Sequence, residues 1–195
     1  MKKLLLVHFL EIQMRVETLL KKSIMKTSQL KENEYSVFNA TYIKAAGEVE
    51  LVEELEICLH DFIRFVQNLP MDKFDYRYAK GKWTIKEIIQ HIIDTERIFA
   101  YRALRISRND STPLAGFDEN SYASNTAADT RGLQDLLTEL SAVRHSNLLL
   151  FKSFSEEQLL RIGIASDHPI SVRAIGFMLI GHQKQHQKVF GERYL

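Results

Sequence analysis

The segment SVRAIGFMLIGHQKQHQKVFGERYL, residues 171–195, reads as one amphipathic helix over about 171–191. Successive residues of an α-helix turn by about 100°, so spacing converts to angle. With Ile175 at zero, Val172, Met178, Leu179, Val189 and Phe190 all fall within about 60° of it. His182 and His186 fall within about 20°, at the centre of the same apolar face, while Lys184 and Lys188 fall on the opposite side. Two imidazoles spaced i, i+4 on a buried face form the usual helical pair for chelating one metal ion. The competing reading is two hydrogen-bonded core histidines.

Three further segments repeat the pattern. Over residues 49–69, Leu51, Val52, Leu55, Cys58, Leu59, Phe62, Val66 and Leu69 share one face, and Pro70 ends the run. Over 84–108, Thr84 and Glu87 form a capping box preceded by Trp83, and Ile85, Ile88, Ile89, Ile92, Phe99 and Ala103 form the stripe. Over 129–154 the stripe is Leu133, Leu136, Leu137, Leu140, Val143, Leu148 and Phe151. Ser155 with Gln158 caps a short helix over 156–161. Residues 162–170, with Gly163, Asp167 and Pro169, read as loop, and no segment shows a strand pattern. The fold class is therefore all-α: a four-helix bundle with a long crossover, about 109–128, between its second and third helices.

Composition narrows the function. Of 195 residues, Lys plus Arg make 26 and Asp plus Glu 25, a net charge of +1. No global field draws the chain to nucleic acid or an acidic membrane. One cysteine, Cys58, excludes an internal disulfide and a Cys-rich zinc site, and its place on an apolar stripe marks a buried structural thiol. The opening MKKLLLVHFL resembles a signal peptide until Glu11 ends the apolar run with no cleavage site after it. No stretch approaches a membrane span, so a cytoplasmic location is expected. Met25 is an alternative start to Met1. Residues 1–34 read as an N-terminal extension and 35–195 as the bundle domain.

Seven histidines remain to be divided. His91 is the one on the second helix. It lies at the edge of the stripe, where a ligand beside a cavity and a partly exposed surface residue are both open readings. His60 and His145 fall on polar faces, His168 in a loop and His8 in the arm. Two charges interrupt apolar stripes, Glu96 and Arg144. Buried charges are rarely left alone, so an ion pair between them is expected. The alternative is that Glu96 or Asp94 orients a metal-bound histidine. Arg105 and Arg108 fit either contacts to an anionic substrate or solvated surface charges.

The stretches YRYAKGKWTIKEIIQHIIDTERIFAYRALRISRND at 76–110, TPLAGFDENSYA at 112–123, the Arg144 region and GHQKQHQKVFGERYL at 181–195 resemble the DinB/YfiT-like family of four-helix bundle proteins. The resemblance spans roughly residues 35–195. It implies a divalent metal held by three histidines, here His91, His182 and His186; zinc and nickel both accept imidazole ligands, and other ions stay open. It also implies metal-dependent chemistry on a small molecule, and some relatives transfer bacillithiol-like thiols. Many members resemble Gly-His-Glu-x-His-His near the end, whereas this chain has Gln183 and Gln185. A mechanism with that glutamate as base has no support here. Three imidazoles leave coordination positions open, as in a catalytic rather than a structural site. The expectation is a thiol transferase or a hydrolase. The alternatives are a non-catalytic metal-binding or stress-response module, and a plain bundle with satisfied core histidines. A homodimer and a monomer both remain open.

Overall fold

The computed structural model describes residues 25–195. The signal-like run and His8 lie outside them. The chain forms α1 (Val37–Ala46), α2 (Leu51–Gln67), α3 (Ile85–Ser107), α4 (Glu119–Ser124), α5 (Leu133–Ser153), α6 (Glu156–Leu160), a hairpin of β1 (Ile162–Ala165) and β2 (His168–Ser171), and α7 (Val172–Arg193). Helices α2, α3, α5 and α7 form the bundle. Each of α2 and α3 packs against both α5 and α7. The crossover from α3 to α5 carries α4.

Local chemistry sets the helix starts. Thr84 Oγ1 accepts the Glu87 backbone N–H at 3.1 Å and a Glu87 carboxylate oxygen accepts that of Thr84 at 2.6 Å. These bonds satisfy amides that the first turn of α3 leaves free. Ser155 and Gln158 do the same for α6. The Ser171 hydroxyl accepts from Ala174 N–H at the start of α7 and donates to Glu34 at 2.7 Å. Glu34 is buried against Arg173. Burial works to raise its pKa, but bonds from Arg173, Ser171 and the Lys31 amide hold it below the usual value.

Three elements depart from the sequence expectation. The first is α1, whose face is weakly amphipathic: Val37 and Phe38 are 92% and 70% exposed, and only Ile43 and Ala46 are buried. It forms because α7 offers a seat. A Cβ on Gly181 would lie 1.7 Å from the Tyr42 carbonyl oxygen and 2.6 Å from its carbon. The two backbones thus touch where α7 has no side chain. Gly181→Ala gains about 1 kcal/mol of helix propensity. It should still destabilise the protein by about 2 kcal/mol net, because a backbone carbonyl cannot swing aside as a side chain can. Urea unfolding measures this, and an unchanged midpoint would refute the close contact.

The second departure is the hairpin of β1 and β2, where residues 162–170 read from sequence as loop. Ser166 and Asp167 sit at φ 51° and 65°, the left-handed pair of a two-residue turn that favours Asn-Gly. Gly163 and Pro169 inside the strands further hide the pattern. Tertiary bonds hold it: Leu114 N–H donates to Ile164 O and Ser166 N–H to Leu114 O, both at 2.9 Å. The hairpin therefore clips the crossover to the end of the bundle. The third departure is α4, six residues capped by Asp118 inside the crossover.

The core has two apolar halves. Leu51, Leu55, Phe151, Ile175 and Phe177 belong to one, and Leu59, Phe62, Ile89, Leu136 and Phe190 to the other. Between them lies a polar knot. Arg144, fully buried, donates to Glu96 through Nε at 2.9 Å, and also to Leu55 O at 3.0 Å, Cys58 Sγ at 3.0 Å and Gln183 Oε1 at 2.9 Å. Asn147 donates to the other Glu96 oxygen at 2.6 Å, and Gln183 to Cys58 O at 2.6 Å. The expected ion pair is present and reaches all four bundle helices. Among the described residues no helix is long and apolar enough to cross a membrane.

Candidate metal centre

Helices α3 and α7 pack side by side, and three imidazoles meet across that seam. His91 Nε2 stands 2.9 Å from His182 Nε2, and His186 Nε2 stands 3.1 Å from it. The ligand-capable nitrogens of all three lie within 4.8 Å of one another. His91 is 9% exposed and His182 4%, while His186 is partly exposed. His91 therefore faces the cavity rather than the surface. The Trp83 ring stands 4.9 Å from His91 and Tyr42 of α1 stands 5.3 Å from His182, so aromatic walls fix both rings.

Electrostatics keep the rings neutral. Burial lowers His91 to about 4, against a smaller opposing pull from Glu119. Burial and the neighbouring His91 lower His186 to about 3. Burial, His186, His91 and Arg144 together hold His182 well below its ordinary value. Each ring thus carries a lone pair at neutral pH. A neutral imidazole nitrogen makes one in-plane hydrogen bond, so His182 Nε2 can satisfy only one of its two close neighbours. The other contact sets nitrogen against nitrogen. A cation shared by the three relieves this. Two nitrogens about 2.1 Å from one ion stand about 3.0–3.4 Å apart, close to the spacings found.

The depressed pKa values predict how the metal-free protein responds to acid. The folded rings titrate below 6.5, so the unfolded chain takes up protons first as pH falls. Their contribution is full above about pH 6.5 and is lost progressively towards the folded values. Between pH 7 and 5 the loss is about 2 kcal/mol for each of His91 and His186. Urea midpoints of chelated protein should fall across that window, and equal midpoints would refute the neutral cluster.

The histidines line a cavity of about 290 Å³. Phe38, Tyr42, Trp83, Phe99 and Phe117 make much of its wall, and Glu119 of α4 is its one carboxylate among the described residues. His168, assigned no role from sequence, also lines it. His60 and His145 are exposed, as expected.

The other polar candidates lie elsewhere. Glu96 belongs to the Arg144 knot, and Asp94 accepts from Gln90 at 2.9 Å, so neither supports a metal-ligand histidine. Gln183 points into the knot. Arg105 donates to Asp110 at 2.5 Å and to Tyr101 at 2.8 Å, and Arg108 lies over Phe154, so both are held outside the cavity. The arginine that lines the cavity is Arg102, which sequence reading passed over. Eleven residues beyond His91 bring it back to within about 20° of the same helix face, so the signal was present.

Comparison with known proteins bears on the fold and the family. A protein from Bacillus mycoides, provisionally named a metal-dependent hydrolase, is 20% identical over 98 residues, 48% of this chain and 56% of the relative. The chain thus matches little more than half the length of that relative. YfiT from Bacillus subtilis, described provisionally as a metal-dependent hydrolase with an unusual four-helix bundle topology, shares the fold. It superposes with a TM-score of 0.67 at 16% identity, over 82% of this chain and 91% of YfiT. The model of the DinB superfamily matches residues 54–190. With most of its length covered by that model, the chain belongs to the DinB superfamily.

Proposed function

We propose that the protein is a metal-dependent enzyme acting on a small molecule, with a divalent ion held by His91, His182 and His186. The observation that carries this reading is the convergence of three neutral Nε2 atoms at the base of an aromatic-walled cavity. The ion, zinc or nickel, supplies Lewis acidity at its open positions. The chain supplies the rest. Tyr42 and Trp83 hold the rings, and Glu119, whose charge acts on His91 and Tyr42, is the carboxylate that lines the cavity among the described residues. Hydrolysis, and transfer of a low-molecular-weight thiol to an electrophile, both fit this arrangement. The provisional name of the Bacillus mycoides relative favours hydrolysis.

Metal analysis with turnover tests the reading. Purified protein should hold about one divalent ion per chain. It should hydrolyse activated esters or amides, or couple a thiol to 1-chloro-2,4-dinitrobenzene. Chelation should abolish turnover and zinc or nickel restore it. Metal without turnover of either kind would leave a non-catalytic binding module. Protein that takes up no metal would be a bundle with core histidines only.

A further inference from the structure

The far end of the cavity holds an unusual arginine. Arg102 is 7% exposed and has no carboxylate partner among the described residues. One of its nitrogens, Nη2, donates to Ala115 O at 2.8 Å and to Ser166 Oγ at 3.0 Å. Its Nη1 and Nε edge makes no hydrogen bond to the described protein. Burial lowers its pKa. An arginine nevertheless stays protonated. Its free nitrogens are not sealed off from solvent, but a largely desolvated cation without a counter-charge is costly, and an anionic ligand there would relieve that cost.

A second orphan points the same way. Thr95 is 2% exposed, lines the cavity, and has a hydroxyl with no hydrogen-bond partner. Positions 91, 95, 99 and 102 make one stripe along α3. The Phe99 ring bridges the ends, 6.5 Å from the His182 ring and 5.7 Å from Arg102 Cζ, so histidines and guanidinium are at most about 12 Å apart. The Phe117 ring also lies against the guanidinium, at 5.9 Å from Cζ. Among the described residues no lysine lines the cavity.

We propose that Arg102 forms a carboxylate subsite, so that this protein takes small organic acids whose anionic end lies within about 12 Å of the reacting group. The free edge of a guanidinium matches a carboxylate with two parallel hydrogen bonds. A single planar cation beside two phenyl rings suits a monoanion with an apolar body. A phosphate dianion would call for more positive charge. Thr95, one turn from His91, meets a polar atom of the substrate near the reacting centre. The inference rests on the histidines being the reacting end of the cavity.

The test uses calorimetric titration of chelated protein, so that a carboxylate cannot bind a metal instead. The probes are 4-phenylbutyrate, 6-phenylhexanoate and their neutral amides. Wild type should bind at least one acid about tenfold more tightly than its amide. Arg102→Gln should bring the ratio to about one, and Arg102→Lys, which keeps the charge but loses the fork, should leave an intermediate ratio. His182→Ala should keep the discrimination while losing metal uptake, which separates failure of the subsite from failure of the metal reading. Phenyl phosphate should bind no better than the carboxylates. Equal affinity for acid and amide in wild type would overturn the proposal, as would discrimination surviving in Arg102→Gln. If Arg102→Gln does not fold, the wild-type ratio and Arg102→Lys decide.

Discussion

Replacing His182 with alanine should lower bound zinc from about one ion per chain to under a tenth, and abolish turnover with it. His182 Nε2 is the atom that approaches both other rings, at 2.9 and 3.1 Å. Without it, His91 and His186 remain as two ligands with no donor between them. A lost direct ligand should exceed the 10–100-fold loss seen when only a supporting residue is removed. The fold should tolerate the change well. The wild-type ring is buried with contacts it cannot all satisfy, so its removal also relieves a cost. Melting of the chelated variant should stay within a few degrees of wild type. The zinc-induced rise in melting temperature should disappear, because binding to the folded state is what stabilises it. Full zinc occupancy in the purified variant would remove His182 from the site.

The second large effect concerns stability. Arg144→Met keeps the bulk of the side chain but leaves Glu96, 1% exposed, with Asn147 as its remaining donor. Breaking a buried pair from one side costs about 3–5 kcal/mol, a large fraction of a domain's total. Gln183 Oε1 loses its donor at the same stroke, and Leu55 O loses one of its donors. The double variant Glu96→Leu, Arg144→Met should recover most of the loss, since well-packed apolar residues replace an ion pair at little cost. Urea midpoints for the two single variants and the double give the coupling directly. A cost under about 1 kcal/mol for Arg144→Met would show the knot to be dispensable. The knot also joins Gln183, next to His182, to α2 and α5. Arg144→Met should therefore weaken zinc binding while leaving every ligand in place.

Elements set by local chemistry were legible in the sequence. Thr84 with Glu87 marks the start of α3 to within a residue, and i, i+4 arithmetic put His182 and His186 on one inward face. The charges at 96 and 144 were readable as a pair because each interrupts an apolar stripe. Features created by tertiary contact were not. Nothing in VFNATYIKAA demands a helix, since its seat is a missing side chain at Gly181, far along the chain. The Ser166–Asp167 turn lacks the residues its geometry favours, and the crossover holds it in place. His91 was undecided by angle because an edge position becomes interior only when α7 and Trp83 close over it. Arg102 was missed for a different reason. Arginines near a helix end look solvated, and only the turn of the β-hairpin and the loop at 115–117 bury this one.

The Trp83 ring beside His91 makes the molecule an optical instrument. It is the chain's one tryptophan, and its backbone carbonyl is held by the Tyr194 hydroxyl. The protein's long-wavelength emission therefore arises from a single indole at the wall of the histidine cluster. A proton or closed-shell ion on His91 changes the field at that indole, and a paramagnetic ion such as nickel quenches it. Without an attached label, fluorescence titrations can follow metal and acid at this one cavity while the rest of the bundle stays dark.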